Sequence, residues 1–126
     1  AMRSFGATIL LAGQLFSADM AGFWEFNIDL GGLEIGANCN LMENAGQLNG
    51  RCWSTSGAFR YDTEATGAVQ QERIELSYSF PTDRGKITFR YKGQREPDKS
   101  LSGDFILTPS DGSAPSKGLF AAAKSR

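Results

Sequence analysis

Histidine is absent from the sequence. It is the side chain most often used as a general base near neutral pH, and it is the commonest ligand of transition metals in proteins. Its absence excludes Ser-His-Asp and Cys-His catalysis within this chain, together with metal centres built on imidazole. We therefore expect no histidine-based or metal-based catalysis, no metal site and no cofactor.

An excess of charge of either sign is also missing. The 126 residues include 13 basic and 14 acidic side chains, which gives a net charge of −1. Proteins that bind nucleic acid through its phosphates carry a strongly basic surface, so we expect no nucleic-acid partner. Hydrophobic residues make up 40% of the chain and charged residues 21%, which is typical of a globular domain.

No apolar run is long enough to cross a bilayer as a helix, which takes roughly 20 residues. The most apolar stretch runs from Phe5 to Phe16 and carries no charge. Arg3 precedes it and small residues follow it, as in a signal peptide. Residues 1–20 are therefore expected to be either a signal-like segment or a first structural segment, and residues 21–126 are expected to form a single barrel domain.

Long helical patterns are missing as well, and short runs of alternating apolar and polar residues take their place. FWEFNID puts Trp24, Phe26 and Ile28 on one face, and RIELSYSF from Arg73 and KITFRYKG from Lys86 alternate in the same way. Turn sequences such as GG, ENAG and PTDRG separate the runs. This spacing predicts an all-β fold, an antiparallel up-and-down meander that closes into a seven- or eight-stranded barrel.

Two further segments give specific expectations. AFRYDTEATGAV, residues 58–69, is predicted to be one irregular or bulged strand pair. The basic stripe from Lys86 to Lys92 is interpreted as a solvated face with cross-strand pairs, Glu75 lying opposite Arg90 or Lys92. The expected inward face of the second strand comprises Leu33, Ile35, Ala37, Cys39 and Leu41.

Only two cysteines are present, Cys39 and Cys52, on either side of ENAG. If Leu41 and Leu48 share the core face across this turn, the cysteines lie either directly opposite each other or one pair apart. Only the direct register brings the Cβ atoms within disulfide reach, about 3.5–4.5 Å. Such a bond would contribute on the order of 3 kcal/mol and would indicate a periplasmic or secreted protein. The alternative is two reduced core cysteines in a cytoplasmic protein.

GFW, residues 22–24, opens the first amphipathic strand and resembles the G-x-W signature of lipocalins and their relatives, the calycins. GFWEFNIDLGGLEIG with AGQLNGRCWS also resembles the opening hairpins of avidin-type barrels, and LSGDF with GLFAAAKSR resembles small exported bacterial domains of this architecture. The resemblance covers residues 21–126. It implies an eight-stranded barrel in which Trp24 closes one end of the core. Trp53 is the only other tryptophan, so biotin binding is not implied.

An eight-stranded barrel is just wide enough to be filled by its side chains or to hold one small ligand. Apolar residues with a few tyrosine hydroxyls suit a site for a small hydrophobic molecule, and this is the function that we expect; a solid core is the other option. The expected lining is Trp24, Phe26, Ile35, Leu41, Tyr61, Tyr78, Phe89, Tyr91 and Phe105.

Two other functions and the oligomeric state stay open. A protease-inhibitor or interaction module, as in the bacterial metalloprotease-inhibitor barrels that share G-x-W and one disulfide, would combine a filled core with a protruding apolar N-terminal segment. An exposed Phe23 or Trp53 would instead mark a protein interface. A homo-oligomer is also open. A small β-barrel enzyme of the cyclase or isomerase type would need a buried carboxylate beside a tyrosine. Its candidate residues are Glu25, Glu64, Asp104, Tyr78 and Tyr91.

Overall fold

The computed structural model describes residues 20–125. Eight antiparallel strands follow one another around a closed barrel in chain order, which confirms the predicted all-β meander. The described residues contain no α-helix, and none of their segments is a helix that could cross a membrane. The strands are β1 (Gly22–Leu30), β2 (Leu33–Asn44), β3 (Gln47–Ser56), β4 (Asp62–Gln70), β5 (Arg73–Thr82), β6 (Gly85–Arg95), β7 (Leu101–Pro109) and β8 (Ser116–Lys124). The expectation for residues 1–20 falls outside the described residues except at Met20.

The alternation of the sequence becomes the inside and the outside of the barrel. Trp24, Phe26 and Ile28 of β1 are buried, whereas Glu25 and Asn27 between them are exposed. Strands β5 and β6 repeat the pattern. Because one face of every strand turns inward, the hydrophobic core lies inside the barrel, and no charged side chain of the described residues is buried there.

The two ends of the barrel carry different connections. The hairpins β1–β2, β3–β4, β5–β6 and β7–β8 turn at one end, which we call the mouth. The hairpins β2–β3, β4–β5 and β6–β7 turn at the opposite end, where β1 also begins and β8 ends; we call it the terminal end. This division follows from an antiparallel meander, in which successive strands reverse direction.

Inward-facing glycines allow neighbouring strands to approach closely. A Cβ atom at Gly67 would overlap the backbone carbonyl oxygen of Glu75, and one at Gly103 would overlap that of Lys92. Glycine in a strand interior commonly marks such an approach or a tight bend of a barrel wall. We therefore attribute the tight closure of this barrel in part to these positions.

The cysteine prediction is confirmed. Cys39 of β2 lies directly opposite Cys52 of β3, and a disulfide joins them, with the two Cα atoms 4.1 Å apart. Both residues are fully buried inside the barrel, and Leu41 and Leu48 share the core face as expected. The bond fixes the register of β2 against β3 near the middle of both strands.

Two expectations are wrong in detail. Leu33 has the inward parity, but it is 52% exposed, because it is the first residue of β2 and lies beyond the packed core at the mouth. Residues 58–69 do not form a strand pair, since residues 57–61 are a loop and the rest belongs to β4. β4 pairs with β3 along one edge and with β5 along the other. Both of its edges are therefore occupied by other strands, and the segment cannot fold back to pair with itself.

The basic stripe lies on the outer wall, as predicted. Lys86, Arg90 and Lys92 are exposed, and Glu75 is paired in register with Lys92, which also faces Asp104 of β7. The stripe is thus a solvated surface with opposite charges at neighbouring positions.

Candidate functional site at the mouth of the barrel

Aromatic rings fill the interior. Phe89 lies 4.9 Å from Phe105 and 5.1 Å from Phe80 between ring centroids, and Tyr91 lies 4.9 Å from Phe26. All nine residues that the sequence predicted as a lining are on the inner face, and only Tyr61 is less than fully buried. In this structure they pack against one another, so the interior near these rings is occupied by protein.

Three of these residues form a chain of hydroxyl groups. The Tyr78 hydroxyl lies 2.8 Å from that of Tyr61 and 2.6 Å from that of Tyr91. Tyr61 directly precedes β4 near the mouth, and Tyr91 lies deeper, so the chain runs from the mouth into the core. It is the main polar feature of the interior.

The direction of the protons in this chain follows from counting donors. Each phenol has one O–H, and the two hydrogen bonds use two of the three protons. Tyr91 is fully buried, whereas Tyr61 is partly exposed. Only one arrangement leaves no buried O–H without an acceptor: Tyr91 donates to Tyr78, and Tyr78 donates to Tyr61. The last free proton then belongs to Tyr61, at the mouth.

These hydroxyls are neutral at ordinary pH. Burial raises the pKa of Tyr61 to about 12, although its hydrogen bond with Tyr78 acts in the opposite direction. Burial also raises the pKa of Tyr78 and of Tyr91 well above the usual value, and the proximity of the other tyrosines adds to the effect. The three groups are therefore suited to donating and accepting hydrogen bonds and not to acting as bases.

A phenylalanine from a loop covers the inner rings at the mouth. Residues 57–61, which we call the lid loop, connect β3 to β4. The ring of Phe59 contacts Phe80 at 5.8 Å and Phe89 at 5.7 Å, both edge to face. Phe59 is only partly buried, so the structure closes the mouth with a ring that a loop carries.

Hydrogen bonds hold the lid loop where it joins the strands, whereas its central residues lie outside the sheet. The Ser54 backbone N–H donates to the Tyr61 carbonyl at 3.0 Å, and the Tyr61 N–H donates to the Ser54 hydroxyl at 3.2 Å. Gly57 has a φ of +105°, a conformation that favours glycine. Motion of Phe59 can therefore leave Tyr61 and the strands in place.

A cleft of about 650 Å³ lies beside the lid loop. Its apolar wall includes Phe59, Ile87 and two prolines, and its rim combines basic and acidic side chains. The charged residues are Arg60, Arg84, Lys86, Asp83 and Asp111. The cleft thus offers apolar contact and charged groups to one small molecule, although it is more polar than most such sites.

The carboxylates considered for catalysis all lie on the outside. Glu25, Glu64 and Asp104 are exposed, because each occupies an outward position of its strand. The structure brings Tyr78 and Tyr91 together inside the barrel but places none of these three carboxylates beside them. Among residues 20–125 no cluster of three or more histidine, cysteine or acidic side chains could hold a metal.

The sequence reasoning missed Phe59 and the charged rim. Phe59 lies two residues before Tyr61, which is the spacing of two side chains on one face, and Gly57 precedes it. That pattern could have marked an apolar loop residue turned toward the core. No local pattern indicates that Arg84 and Lys86 of one hairpin line the same cleft as Arg60 of another.

Comparison with known proteins gives no relative: no protein-family model, no curated protein and no solved structure matches the chain. The likeness to calycins therefore rests on the G-x-W residues and on the eight-stranded closed barrel.

Proposed function

We propose that this barrel binds one small hydrophobic molecule at its mouth, in the place that the Phe59 ring takes in this structure. The observation that carries the proposal is a loop-borne aromatic ring packed on the rings of Phe80 and Phe89. A ring carried by a strand could not leave without breaking the hydrogen-bonded ladder. A ring carried by a five-residue loop can leave at the cost of its own contacts.

The position of the partly buried apolar side chains supports a binding site at the same end of the barrel. Among residues 20–125 the four that pack against the core, Leu30, Phe59, Tyr61 and Ile87, lie at the mouth. The free proton inferred for Tyr61 would supply one hydrogen bond to an acceptor on the ligand. Apolar contact with one oriented polar group is the pattern expected of such a site.

The setting that we propose is an exported bacterial protein of the calycin type. The buried disulfide between Cys39 and Cys52 supports an oxidising compartment, the periplasm or the exterior. The G-x-W residues and the closed eight-stranded meander support the calycin assignment.

Fluorescence titration with the neutral probe N-phenyl-1-naphthylamine tests the binding site. Because the ligand must displace Phe59, the wild-type affinity is reduced by the fraction of molecules with an open mouth. We expect Phe59→Ala to bind the probe about tenfold more tightly than the wild type, which corresponds to about 1.4 kcal/mol of removed competition. Phe23→Ala, the same change on the outer wall, should leave the affinity unchanged.

Circular dichroism and the thermal midpoint must show that both variants are folded. Equal affinity of Phe59→Ala and wild type would overturn the proposal. An equal gain in Phe23→Ala would overturn it as well, since the probe would then report general loosening of the barrel.

A second candidate, the interaction module, is favoured by a pair of aromatic rings on the outer wall. Phe23 and Trp53 contact each other edge to face at 5.7 Å, and Met42 of the neighbouring β2 is 68% exposed. A closed barrel offers no free strand edge, so a partner would have to bind such side chains. The simplest partner is a second copy of this chain, and sedimentation equilibrium of the wild type and of Phe23→Ala/Trp53→Ala tests it. A dimer that is lost in the variant would support this candidate. A monomeric wild type would contradict it.

A further inference from the structure

We infer that the ligand of the mouth is a small aromatic carboxylate, with its ring in the place of Phe59 and its carboxylate at Arg84 and Lys86. This inference rests on the proposed function, because it names the class of molecule that the same site would take. It combines two observations: the geometry of the rings at the mouth and the distribution of charge on the rim.

The aromatic part follows from the contacts that a ligand would have to replace. The Phe59 ring stands at 63° to Phe80 and at 85° to Phe89. Phe80 also stacks on Tyr61, with 4.2 Å between the ring centroids and an interplanar angle of 14°. Edge-to-face contacts use the positive edge of one ring and the negative face of another, which a saturated ring cannot reproduce. A flat aromatic ring therefore restores more of the lost contact than an alkyl group of equal size.

The carboxylate part follows from cations that lack an ion-pair partner. Within residues 20–125 the one ion pair closer than 4 Å is between Arg51 and Asp62, on the outer wall, and neither residue lines the mouth cleft. Arg84 and Lys86 line the mouth cleft without such a partner. An anion placed there would gain two favourable charge interactions.

The rim also carries two carboxylates, Asp83 and Asp111, which compete with a ligand for the cations. Asp111 accepts hydrogen bonds from the backbone N–H of Ser113 at 2.9 Å and from its hydroxyl at 2.6 Å. These bonds, with a smaller contribution from the charge of Arg84, lower the pKa of Asp111. Asp83 stands beside Arg84 in the β5–β6 turn. Cations still outnumber carboxylates around the cleft, since Arg60 also lines it.

Arg60 has a different task from the other two cations. Its Nη1 donates to the carbonyl oxygens of Gly57 at 3.0 Å and of Phe59 at 3.4 Å. It therefore braces the lid loop in its closed position. Moving Phe59 aside would break these bonds and would release the guanidinium as a third donor for the ligand.

The backbone that carries Arg84 and Lys86 is held in place before any ligand arrives. The Lys86 N–H donates to the Ser110 hydroxyl at 3.0 Å, and the Ser110 N–H donates to the Lys86 carbonyl at 2.9 Å. Within the turn, the Thr82 hydroxyl donates to the Gly85 carbonyl at 2.7 Å. These bonds join the β5–β6 hairpin to the β7–β8 loop, so the two cations stand on a fixed edge of the mouth.

Isothermal titration with three matched molecules tests the inference: 2-naphthoate, 2-naphthylmethanol and decalin-2-carboxylate. The alcohol lacks the charge and the decalin lacks the aromatic rings. Each is titrated into wild type, Phe59→Ala, Arg84→Ala/Lys86→Ala and Arg90→Ala/Lys92→Ala. The last variant removes the same two charges from β6, on the outer wall instead of the rim.

We expect 2-naphthoate to bind the wild type at least fivefold more tightly than either comparison molecule. The rim variant should lose about fivefold to tenfold in affinity for 2-naphthoate, the size expected for two exposed charge interactions, and should keep its affinity for the alcohol. The wall variant should change neither affinity by more than about twofold. Raising the salt concentration should weaken the binding of both carboxylates and leave that of the alcohol unchanged.

Each failure has its own meaning. Equal binding of acid and alcohol, or an equal loss in the rim and wall variants, overturns the carboxylate assignment and leaves the proposed function standing. Equal binding of 2-naphthoate and decalin-2-carboxylate overturns the aromatic assignment. No binding of any of the three to Phe59→Ala, with its mouth unobstructed, overturns the inference and the proposed function together.

Discussion

The two ends of this barrel are closed in different ways. At the terminal end, Met20 and Trp24 are fully buried, and the indole N–H of Trp24 donates to the Met20 carbonyl at 3.0 Å. At the mouth, the closing ring is Phe59, on a loop and partly exposed. Trp24 belongs to a strand that is paired on both sides. A strand residue cannot leave without breaking the ladder, whereas a loop residue can move at the cost of its own contacts, and this difference separates the structural end from the candidate binding end.

The largest effect should come from truncating the closing ring at each end. Trp24→Ala removes a fully buried ring and should lower the free energy of unfolding by about 3–5 kcal/mol. Phe59→Ala removes a partly buried loop ring and should cost about 1–2 kcal/mol. Urea denaturation of both variants measures the contrast. Equal losses would show that the mouth is as much a part of the folded core as the terminal end.

Removing the disulfide should have the next largest effect. Cys39→Ala/Cys52→Ala loses a cross-link between positions 13 residues apart, which should cost about 3 kcal/mol in the chain-entropy model. Because the bond joins β2 and β3 and not the lid loop, the affinity for N-phenyl-1-naphthylamine should change little while the protein is folded. A loss of probe binding in the folded variant would contradict the separation of the two regions.

The hydroxyl chain connects the mouth to the core and gives a third test. Tyr78→Phe removes the hydroxyl that bonds to both Tyr61 and Tyr91, and the two remaining hydroxyls lose their partner. We expect a cost of about 2 kcal/mol, against about 1 kcal/mol for Tyr91→Phe, which removes one bond. Thermal unfolding of the two variants measures the difference. The reverse order would contradict a chain with Tyr78 at its centre.

Alkaline pH should weaken the fold through the same groups. An unfolded tyrosine loses its proton near pH 10, whereas folded Tyr61 keeps its proton up to a pKa of about 12. Between these values the unfolded state binds fewer protons, so stability is complete below pH 10 and falls as the pH rises toward 12. The expected loss at pH 11 is about 1 kcal/mol for this group.

Urea midpoints of wild type and Tyr61→Phe at pH 8 and pH 11 measure the alkaline effect. The variant should lose less stability between the two pH values, because it lacks one of the hydroxyl groups whose pKa is raised in the folded state. An equal loss in both proteins would mean that Tyr61 titrates in the folded state as it does in the unfolded chain.

Much of the barrel could be predicted because strand alternation is a local property. The inward positions of Tyr78, Phe89 and Phe105 follow from the period of two, and so does the placement of Cys39 and Cys52 on one face within one pair of each other. The structure selects the direct register. The same parity turns Glu25 outward, between Trp24 and Phe26. The exposed Leu33 and the single strand β4 escaped prediction, because both depend on where neighbouring strands end.

The sequence by itself determined the alternating strands, the face that each one buries and the shared face of the two cysteines, because the period of two and the turn residues act over a few positions. Only the tertiary structure decided that Phe59 covers the inner rings, that three tyrosines share a hydrogen-bonded chain, and that Arg84 and Lys86 stand beside the lid loop. These neighbours come from different hairpins. They meet because the barrel closes, and closure is a property of all eight strands together.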